Sequence, residues 1–333
     1  MDWTRGFSAA YYMMIVDSSW RDRERIEITG GSITREKTGL MESADVTCTD
    51  FSPDRELWVR VYLEAAQPGD AVRVPLFTGL ASVPEQSYDG NLAIYPLTCY
   101  SVLKPAEDVL LPRGWYAPAG ANGATIVEEL LSVTPAPITV SGNAKKLKQA
   151  IIAEDRENRL TMAHKVLAAI NWRLRISGDG TITICPRGTK IRGTFGLDSD
   201  VIEPKLTRRA DWFSCPNVFR AESAGQVAIA RDDAKDSFLS TVTRGREIWR
   251  EETNCDVNDG ESLEQYAERR LLELQAVAYS INYSRRFDPN VLIGDIVQLH
   301  YPAQNLQSEY VVTSQAVDLG YGARTTEEVQ RWA

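Results

Sequence analysis

The sequence contains few of the side chains that usually supply acid–base or metal chemistry. Only two histidines, His164 and His300, occur in 333 residues. They lie far apart along the chain, so a metal site or a histidine-based catalytic triad is poorly supplied. The pattern around them favours a structural role for both, with His164 on the surface of an amphipathic helix and His300 at the end of a strand.

Cysteines are also sparse and widely scattered. The chain has five of them, with no Cys-x-x-Cys spacing that would indicate a zinc site or a redox pair: Cys48, Cys99, Cys185, Cys215 and Cys255. We expect free thiols, several of them on buried strand faces.

Motifs for nucleotide binding and nucleophilic catalysis are missing. No Gly-x-x-x-x-Gly-Lys occurs, and Gly320-Tyr-Gly322 lacks the third glycine and the helix start of a phosphate-binding loop. The serines Ser8, Ser101 and Ser240 have no Gly-x-Ser-x-Gly surroundings. Asp198-x-Asp200 resembles only a fragment of a cation loop, because the following Asx, the Gly and the distant Glu are absent. These absences predict no catalytic, cofactor-binding or metal-ligating residues.

Adjacent carboxylates offer the remaining route to general acid–base catalysis. Neighbouring residues on one helix diverge by about 100° and cannot form a pair across a cleft, so we interpret them as charged, solvated positions. They are Glu128-Glu129, Glu154-Asp155, Asp232-Asp233, Glu251-Glu252 and Glu327-Glu328.

The charge balance and the hydrophobic pattern exclude further classes. The formal net charge of −9 disfavours extensive binding to a nucleic-acid backbone, and we expect no sequence-specific nucleic-acid binding. No apolar run approaches the roughly 20 residues that cross a bilayer, and the N-terminus does not resemble a signal peptide, so we expect folding in a cytoplasm and no membrane insertion. The basic cluster Lys145, Lys146 and Lys148 is interpreted as a solvated face, with contact to an acidic partner subunit as the alternative.

Strand signals dominate the beginning of the chain. Short alternating segments separated by Gly, Pro and Asx turns predict an antiparallel β-barrel over residues 1–110. The predicted strands are Ala10–Val16, Gly31–Arg35, Ala44–Thr49, Trp58–Leu63, Val72–Leu76 and Leu92–Tyr100.

A stretch rich in Pro, Gly and Ala, from Leu111 to Gly123, marks a boundary. We predict an α+β insert domain over 111–205, with a helix that starts at a Thr125-x-x-Glu128 capping box and a second helix near 158–170. A β-hairpin then pairs Trp172–Ile176 with Thr181–Cys185. The fold class is thus mainly β with an α+β insert.

The remaining residues, 206–333, predict a second small antiparallel β-barrel domain that contains one long helix. The helix spans about 260–278, with Asp259 or Ser262 as its cap, and shows an apolar stripe at helical spacing. Strands follow, and Gly294-Asp295 supplies a turn between them. The aromatic residues Trp115, Tyr116 and Trp332 are candidates for subunit contacts, where Trp and Tyr are enriched.

The order helix, strand, Gly-Asp turn and closing strands resembles the end of the central baseplate-hub proteins of phage tails, a family that includes the late-control hubs of contractile phages and occurs in related contractile injection systems. The residues that carry the resemblance extend from Ala278 to Tyr301, with Ile293-Gly-Asp-Ile-Val-Gln-Leu299 as the most specific part, and from Tyr310 to Trp332. The order barrel, α+β insert, barrel extends it over most of the chain.

The resemblance implies a structural virion protein and not an enzyme. It implies a homotrimer whose two barrels per subunit form a pseudo-six-fold ring, which adapts the six-fold tail tube to a three-fold spike or tip. The implied partners are a tail tube or distal tail protein, a spike or tip protein and the tape-measure protein, with the tape measure and later DNA in the channel. The implied location is the tail baseplate of a virion assembled in the host cytoplasm.

Two alternatives stay open from the residues alone. The first is a β-rich glycan hydrolase that uses two carboxylates distant in sequence. The second is a polysaccharide-binding adhesion module.

Overall fold

The computed structural model describes residues 1–49, 51, 55–82, 87–89, 92–143, 145–196, 202–210, 212–223, 225–253, 255, 257, 261–277, 279–304 and 306–331. Its N-terminal part consists of strands alone: β1 Ser8–Val16, β2 Asp22–Glu36, β3 Glu42–Cys48, β4 Leu57–Gln67, β5 Asp70–Ala81, β6 Ser87–Asp89 and β7 Leu92–Ser101.

These strands form a closed barrel. Six of them follow in the order β1-β4-β5-β7-β3-β2, and pairing of β1 with β2 closes the ring. Every pairing in the ring is antiparallel. Alternation explains the core, because Val59, Val61 and Leu63 of β4 are fully buried at the two-residue period of a strand. The predicted antiparallel barrel is confirmed.

The middle part combines short helices with small sheets. Its elements are α1 Lys104–Asp108, β8 Tyr116–Ala117, α2 Gly123–Leu131, β9 Ile138–Val140, β10 Ile151–Ile152, α3 Arg159–Ala169, β11 Trp172–Ile176 and β12 Ile182–Pro186. Helices α2 and α3 and the hairpin β11–β12 share one apolar core. The predicted mainly β class with an α+β insert is therefore confirmed.

The two helix starts in this part show what capping signals can and cannot identify. For α3, the Asn158 side chain accepts a hydrogen bond from the Thr161 N–H at 2.7 Å, which confirms the predicted start. For α2, the predicted capping box at Thr125 is wrong. Asn122 caps that helix by accepting from the N–H groups of Ala124 and Thr125, since an Asx side chain satisfies the free amides of a first turn as well as Thr does.

The C-terminal part adds β13 Ile191–Gly196, β14 Ile202–Ala210, β15 Val218–Ser223, β16 Gln226–Arg231, α4 Thr241–Arg244, β17 Trp249–Thr253, α5 Leu263–Val277, β18 Tyr279–Arg285, β19 Ile296–Tyr301, a 3₁₀ turn Pro302–Gln304, β20 Leu306–Asp318, a second 3₁₀ turn Tyr321–Ala323 and β21 Thr325–Arg331.

A second group of six strands follows in the order β13-β19-β20-β21-β18-β14. Its pairings are antiparallel except for β13–β19, which is parallel. The long strand β20 joins the two groups into one sheet. Its C-terminal half pairs with β2, and its N-terminal half pairs with β19.

Helix α5 is the predicted long helix, and it packs against a separate three-stranded sheet in the order β16-β15-β17 with a small core of its own. Its capping residue is Ser262, whose Oγ accepts from the Gln265 N–H at 3.2 Å while the Gln265 side chain accepts from the Ser262 N–H. Asp259, the other candidate cap, lies outside the described residues. The predicted domain limits at 110 and 205 stay a prediction.

Candidate functional site

The first candidate site is the point where the hairpin β11–β12 contacts the second strand group. Alternation along β11 buries Trp172, Leu174 and Ile176 in the middle core and turns Arg173 and Arg175 to the opposite face. The period-2 pattern therefore places two guanidinium groups side by side on one surface of the strand.

Both guanidinium groups meet the carboxylate of Asp295. Arg173 Nη2 and Arg175 Nη1 each donate to Asp295 Oδ1 at 2.8 Å. The Asp295 side chain is 1% exposed, and its second oxygen accepts from the Leu292 N–H at 3.0 Å. A buried carboxylate with two cations and a backbone amide has its charge compensated, so this contact fixes the hairpin against the turn.

The turn itself depends on Gly294. Its φ is +75°, and a Cβ added there would lie 2.4 Å from Arg173 Nη1. The Gly294 N–H also donates to the Val312 carbonyl at 2.8 Å, and Arg173 Nη1 donates to the Ile293 carbonyl at 2.9 Å. Glycine is required here for two reasons, the left-handed backbone and the close approach of the arginine.

The loop of the same hairpin contacts the first barrel. Thr78 Oγ1 donates to the Gly178 carbonyl at 2.8 Å. Trp20 Nε1 and Arg60 Nη2 donate to the Asp179 carbonyl at 3.0 and 2.9 Å. One hairpin thus contacts the first barrel through its loop and the second strand group through its strand.

A second contact zone is a buried ionic network between the two strand groups. Arg35 of β2 donates to Gln315 Oε1 at 2.6 Å, and Gln315 Nε2 donates to Glu327 Oε1 at 2.7 Å. Arg285 binds the same carboxylate through Nη2 at 2.6 Å and Nε at 3.0 Å. The Arg285 and Glu327 side chains are both 0% exposed. The network links β2, β20, β21 and β18.

Burial determines how the network ionises. Desolvation opposes the charge of Arg285, but the attraction of Glu327 outweighs it and raises the arginine pKa. Burial raises the pKa of Tyr283, whose hydroxyl donates to Glu327, well above its usual range. Burial likewise raises the pKa of Glu42 to about 7, because its contact with Arg35 is long, at 3.5 Å, and compensates little of the desolvation.

The structure places the other predicted residues as follows. His164 is half-buried on α3, and its Nε2 lies 3.0 Å from the Gly39 carbonyl. Burial lowers its pKa, and the ring nitrogen donates this hydrogen bond because a carbonyl oxygen can only accept. His300 is exposed near the end of β19. Trp115 packs against the middle core, and Tyr116 is 57% exposed.

The five cysteines form no disulfide bonds with one another, and four of them are buried. The residues Asp198, Asp200 and Trp332 lie outside the described part of the chain. Among the described residues, no group of three or more His, Cys, Asp or Glu side chains is arranged to hold a metal ion. No helix in that part is both long enough and apolar enough to span a bilayer.

The interpretation of the adjacent carboxylates as solvated is wrong for Glu327, which lies fully buried beside Arg285. Glu128 and Glu129 are exposed on α2, as expected. Glu154 pairs with Lys165 at 2.7 Å, and Glu252 accepts from the Tyr266 hydroxyl at 2.8 Å. Adjacent letters in the sequence gave no sign of which carboxylate would meet a buried arginine.

Solved structures are similar to this chain over most of its length. The 43 kDa tail protein of prophage MuSo2 from Shewanella oneidensis has a TM-score of 0.70 at 15% identity, with 97% of each chain covered. The tail protein from Neisseria meningitidis MC58 has a TM-score of 0.72 at 12% identity, again with 97% of each chain covered. The fold is that of a phage tail protein.

A third similar structure is the E. coli c3393 protein, described as a component of the type VI secretion system with structural similarity to bacteriophage tail proteins. Its TM-score is 0.53 at 9% identity, with 92% of this chain and 74% of that chain covered. No protein-family model matches this tail-protein-like chain, and no curated protein matches it in sequence. The resemblance to baseplate-hub proteins that the sequence indicated is confirmed at the level of the fold.

Proposed function

We propose that the chain is a structural protein of a phage tail and forms a homotrimeric hub at the baseplate. The observation that carries the proposal is the fusion of two six-stranded groups into one sheet through β20. Three copies of such a subunit present six strand groups around one axis. That number suits a ring that adapts a six-fold tube to a three-fold spike or tip.

The contact zones support a role as a rigid structural subunit. The Asp295 contact and the Arg285–Glu327 network hold both strand groups and the insert at fixed positions by buried, charge-assisted hydrogen bonds. A ring subunit needs this rigidity, because an error in the angle between its two groups would prevent closure of the ring.

The proposed partners are a tail tube or distal tail protein, a spike or tip protein and the tape-measure protein. The proposed location is the tail baseplate of a virion assembled in the host cytoplasm. We also propose that the chain has no catalytic activity and that its domains are 1–110, 111–205 and 206–333. Limited proteolysis followed by mass spectrometry tests these limits. The limits would be contradicted if the protease cut within one of the proposed domains before it cut near residue 110 or 205.

Light scattering and electron microscopy of the purified protein test the trimer. We expect a mass three times that of the 37.2 kDa chain and a ring with a central channel. A monomer that stays monomeric when mixed with the tube and spike proteins of the same phage would refute the hub. Release of sugars from purified cell walls by that monomer would support the glycan hydrolase instead.

A further inference from the structure

A cleft of about 1810 Å³ opens on the described part of the molecule. It is lined by α3, the segment 145–152, helix α5, β20 near Val311 and β21 near Arg331, together with Lys37 and Arg187. We call it the basic cleft. It shares Arg173, Ile293 and Gly294 with the Asp295 contact.

Charge in the basic cleft is opposite to that of the whole chain. Among the described residues, ten Lys and Arg side chains line it against three Glu, whereas the chain has a formal net charge of −9. A concave surface with low-dielectric walls concentrates the field of such charges and attracts ions of opposite sign. The expected ligand is therefore anionic.

The three glutamates are already paired. Glu107 accepts from Lys104 at 2.8 Å, Glu273 pairs with Arg269 at 2.7 Å, and Glu252 pairs with Arg270 at 2.5 Å. Among the residues that the structure describes, five further cations of the cleft have no salt-bridge partner. They are Lys37, Lys145, Lys146, Arg187 and Arg331.

Two of these cations, Lys37 and Arg187, are crowded together. Burial lowers the pKa of each. Repulsion by Arg187 lowers the pKa of Lys37 further, and repulsion by Arg270 lowers that of Arg187, while the attraction of Glu273 opposes both shifts. Both side chains remain open to solvent. An anion that enters the cleft would relieve this repulsion without breaking a salt bridge of Lys37 or Arg187.

Apolar surface in the cleft distinguishes a polypeptide from a nucleic acid. Ile152 is 70% exposed and lines the cleft beside Ile151. Glu252 and Glu273 line the same cleft, so a ligand whose negative charges are spaced apart meets less repulsion there than a continuous phosphate backbone does. An acidic peptide can place carboxylates on the free cations and aliphatic side chains on the isoleucines.

We propose that the basic cleft binds an acidic, partly apolar polypeptide segment of another tail component. The inference rests on the proposed tail function for the identity of the partner, and it names the chemistry of the segment. Lys37, Arg187, Lys145 and Lys146 provide the charge contacts, and Ile152 provides an apolar contact.

The probe is a short fluorescein-labelled peptide of Glu, Leu and Ala, and binding is followed by fluorescence anisotropy. The double variant Lys37→Glu/Arg187→Glu should weaken peptide binding about tenfold or more, because each substitution removes a favourable charge contact and adds a repulsive one. The matched control Arg5→Glu/Arg113→Glu changes net charge equally at side chains that are 80% and 91% exposed outside the cleft. It should bind as the wild type does, and the same peptide with Gln for Glu should not bind.

Results of three kinds would overturn the inference. The first is no binding by the wild type, or equal loss in both double variants. The second is that the wild type binds a single-stranded oligonucleotide of equal charge more tightly than the peptide, and that the cleft variant abolishes this binding. That result would identify a nucleic acid as the occupant. The third is a change in oligomer mass in the cleft variant alone, which would identify a second copy of this chain. The oligomer mass is measured on every sample. A wild-type protein that binds the peptide as a monomer would contradict the proposed trimer and would still support the peptide-binding cleft.

Discussion

Replacement of Gly294 by alanine tests whether the Asp295 contact stabilises the arrangement of hairpin and second strand group. The left-handed backbone at φ +75° costs a non-glycine residue roughly 1–2 kcal/mol. The new methyl group would also displace Arg173, which donates to Ile293 and to the buried Asp295. Hydrogen bonds to charged groups contribute about 1.5–3 kcal/mol, so the total loss in unfolding free energy should be about 3–5 kcal/mol.

Gly69 provides the matched control. It lies in the turn between β4 and β5 at φ +81°, and an added Cβ there meets nothing within 4 Å. Gly69→Ala should therefore show the backbone cost alone, roughly 1–2 kcal/mol. The difference between the two variants isolates the displacement of Arg173.

Urea unfolding, followed by tryptophan fluorescence, measures the loss in unfolding free energy for both variants. The dependence of this free energy on urea concentration is compared between the variants to detect a change from one transition to two. The double variant Gly294→Ala/Arg173→Ala completes a cycle, because removal of the arginine should abolish the extra cost of the methyl group. Equal losses for Gly294→Ala and Gly69→Ala would refute the reasoning. Retained trimer assembly with a bulky residue at position 294 would count against a role of this turn in the ring.

Two further predictions concern the buried network. Glu327→Gln should lower the free energy of unfolding by about 3–5 kcal/mol, because it leaves Arg285 charged and buried without its carboxylate. Glu203→Gln, at the exposed pair with Arg324, should lower it by less than about 1 kcal/mol. Similar losses for the two variants in urea unfolding would contradict the importance of burial. Glu42 holds a proton in the folded state up to about pH 7 and in the unfolded chain only to about 4.5. Protonated Glu42 therefore contributes to the stability of the folded state, and this contribution is fully present below about pH 4.5 and is lost as the pH rises through 7. Glu42→Gln should remove this pH-dependent loss of stability, which is worth about 3 kcal/mol. Parallel curves of stability against pH for the variant and the wild type would contradict a contribution from Glu42.

Local patterns in the sequence predicted the elements well where a short-range rule applies. The alternation in Trp172–Ile176 predicted the hairpin, since a period of two follows from strand geometry alone. Asn158 and Ser262 both marked helix starts, because a cap acts on amides only two or three residues away. The start of α2 was missed for the same reason, as two cap-like residues, Asn122 and Thr125, compete within one turn.

The sequence by itself thus determined the mainly β class, the hairpin, the helices α2, α3 and α5 and the absence of common catalytic motifs. It did not determine which charges would be buried. Arg173 lies 122 residues from Asp295, and Arg35 lies 280 residues from Gln315. Such contacts depend on how β2 and β20 pair and on where the hairpin lies against the sheet. Only the tertiary structure decided that Glu327 is a buried ion-pair partner and that scattered lysines and arginines line one cleft, because desolvation and field strength depend on neighbours in space and not on neighbours in sequence.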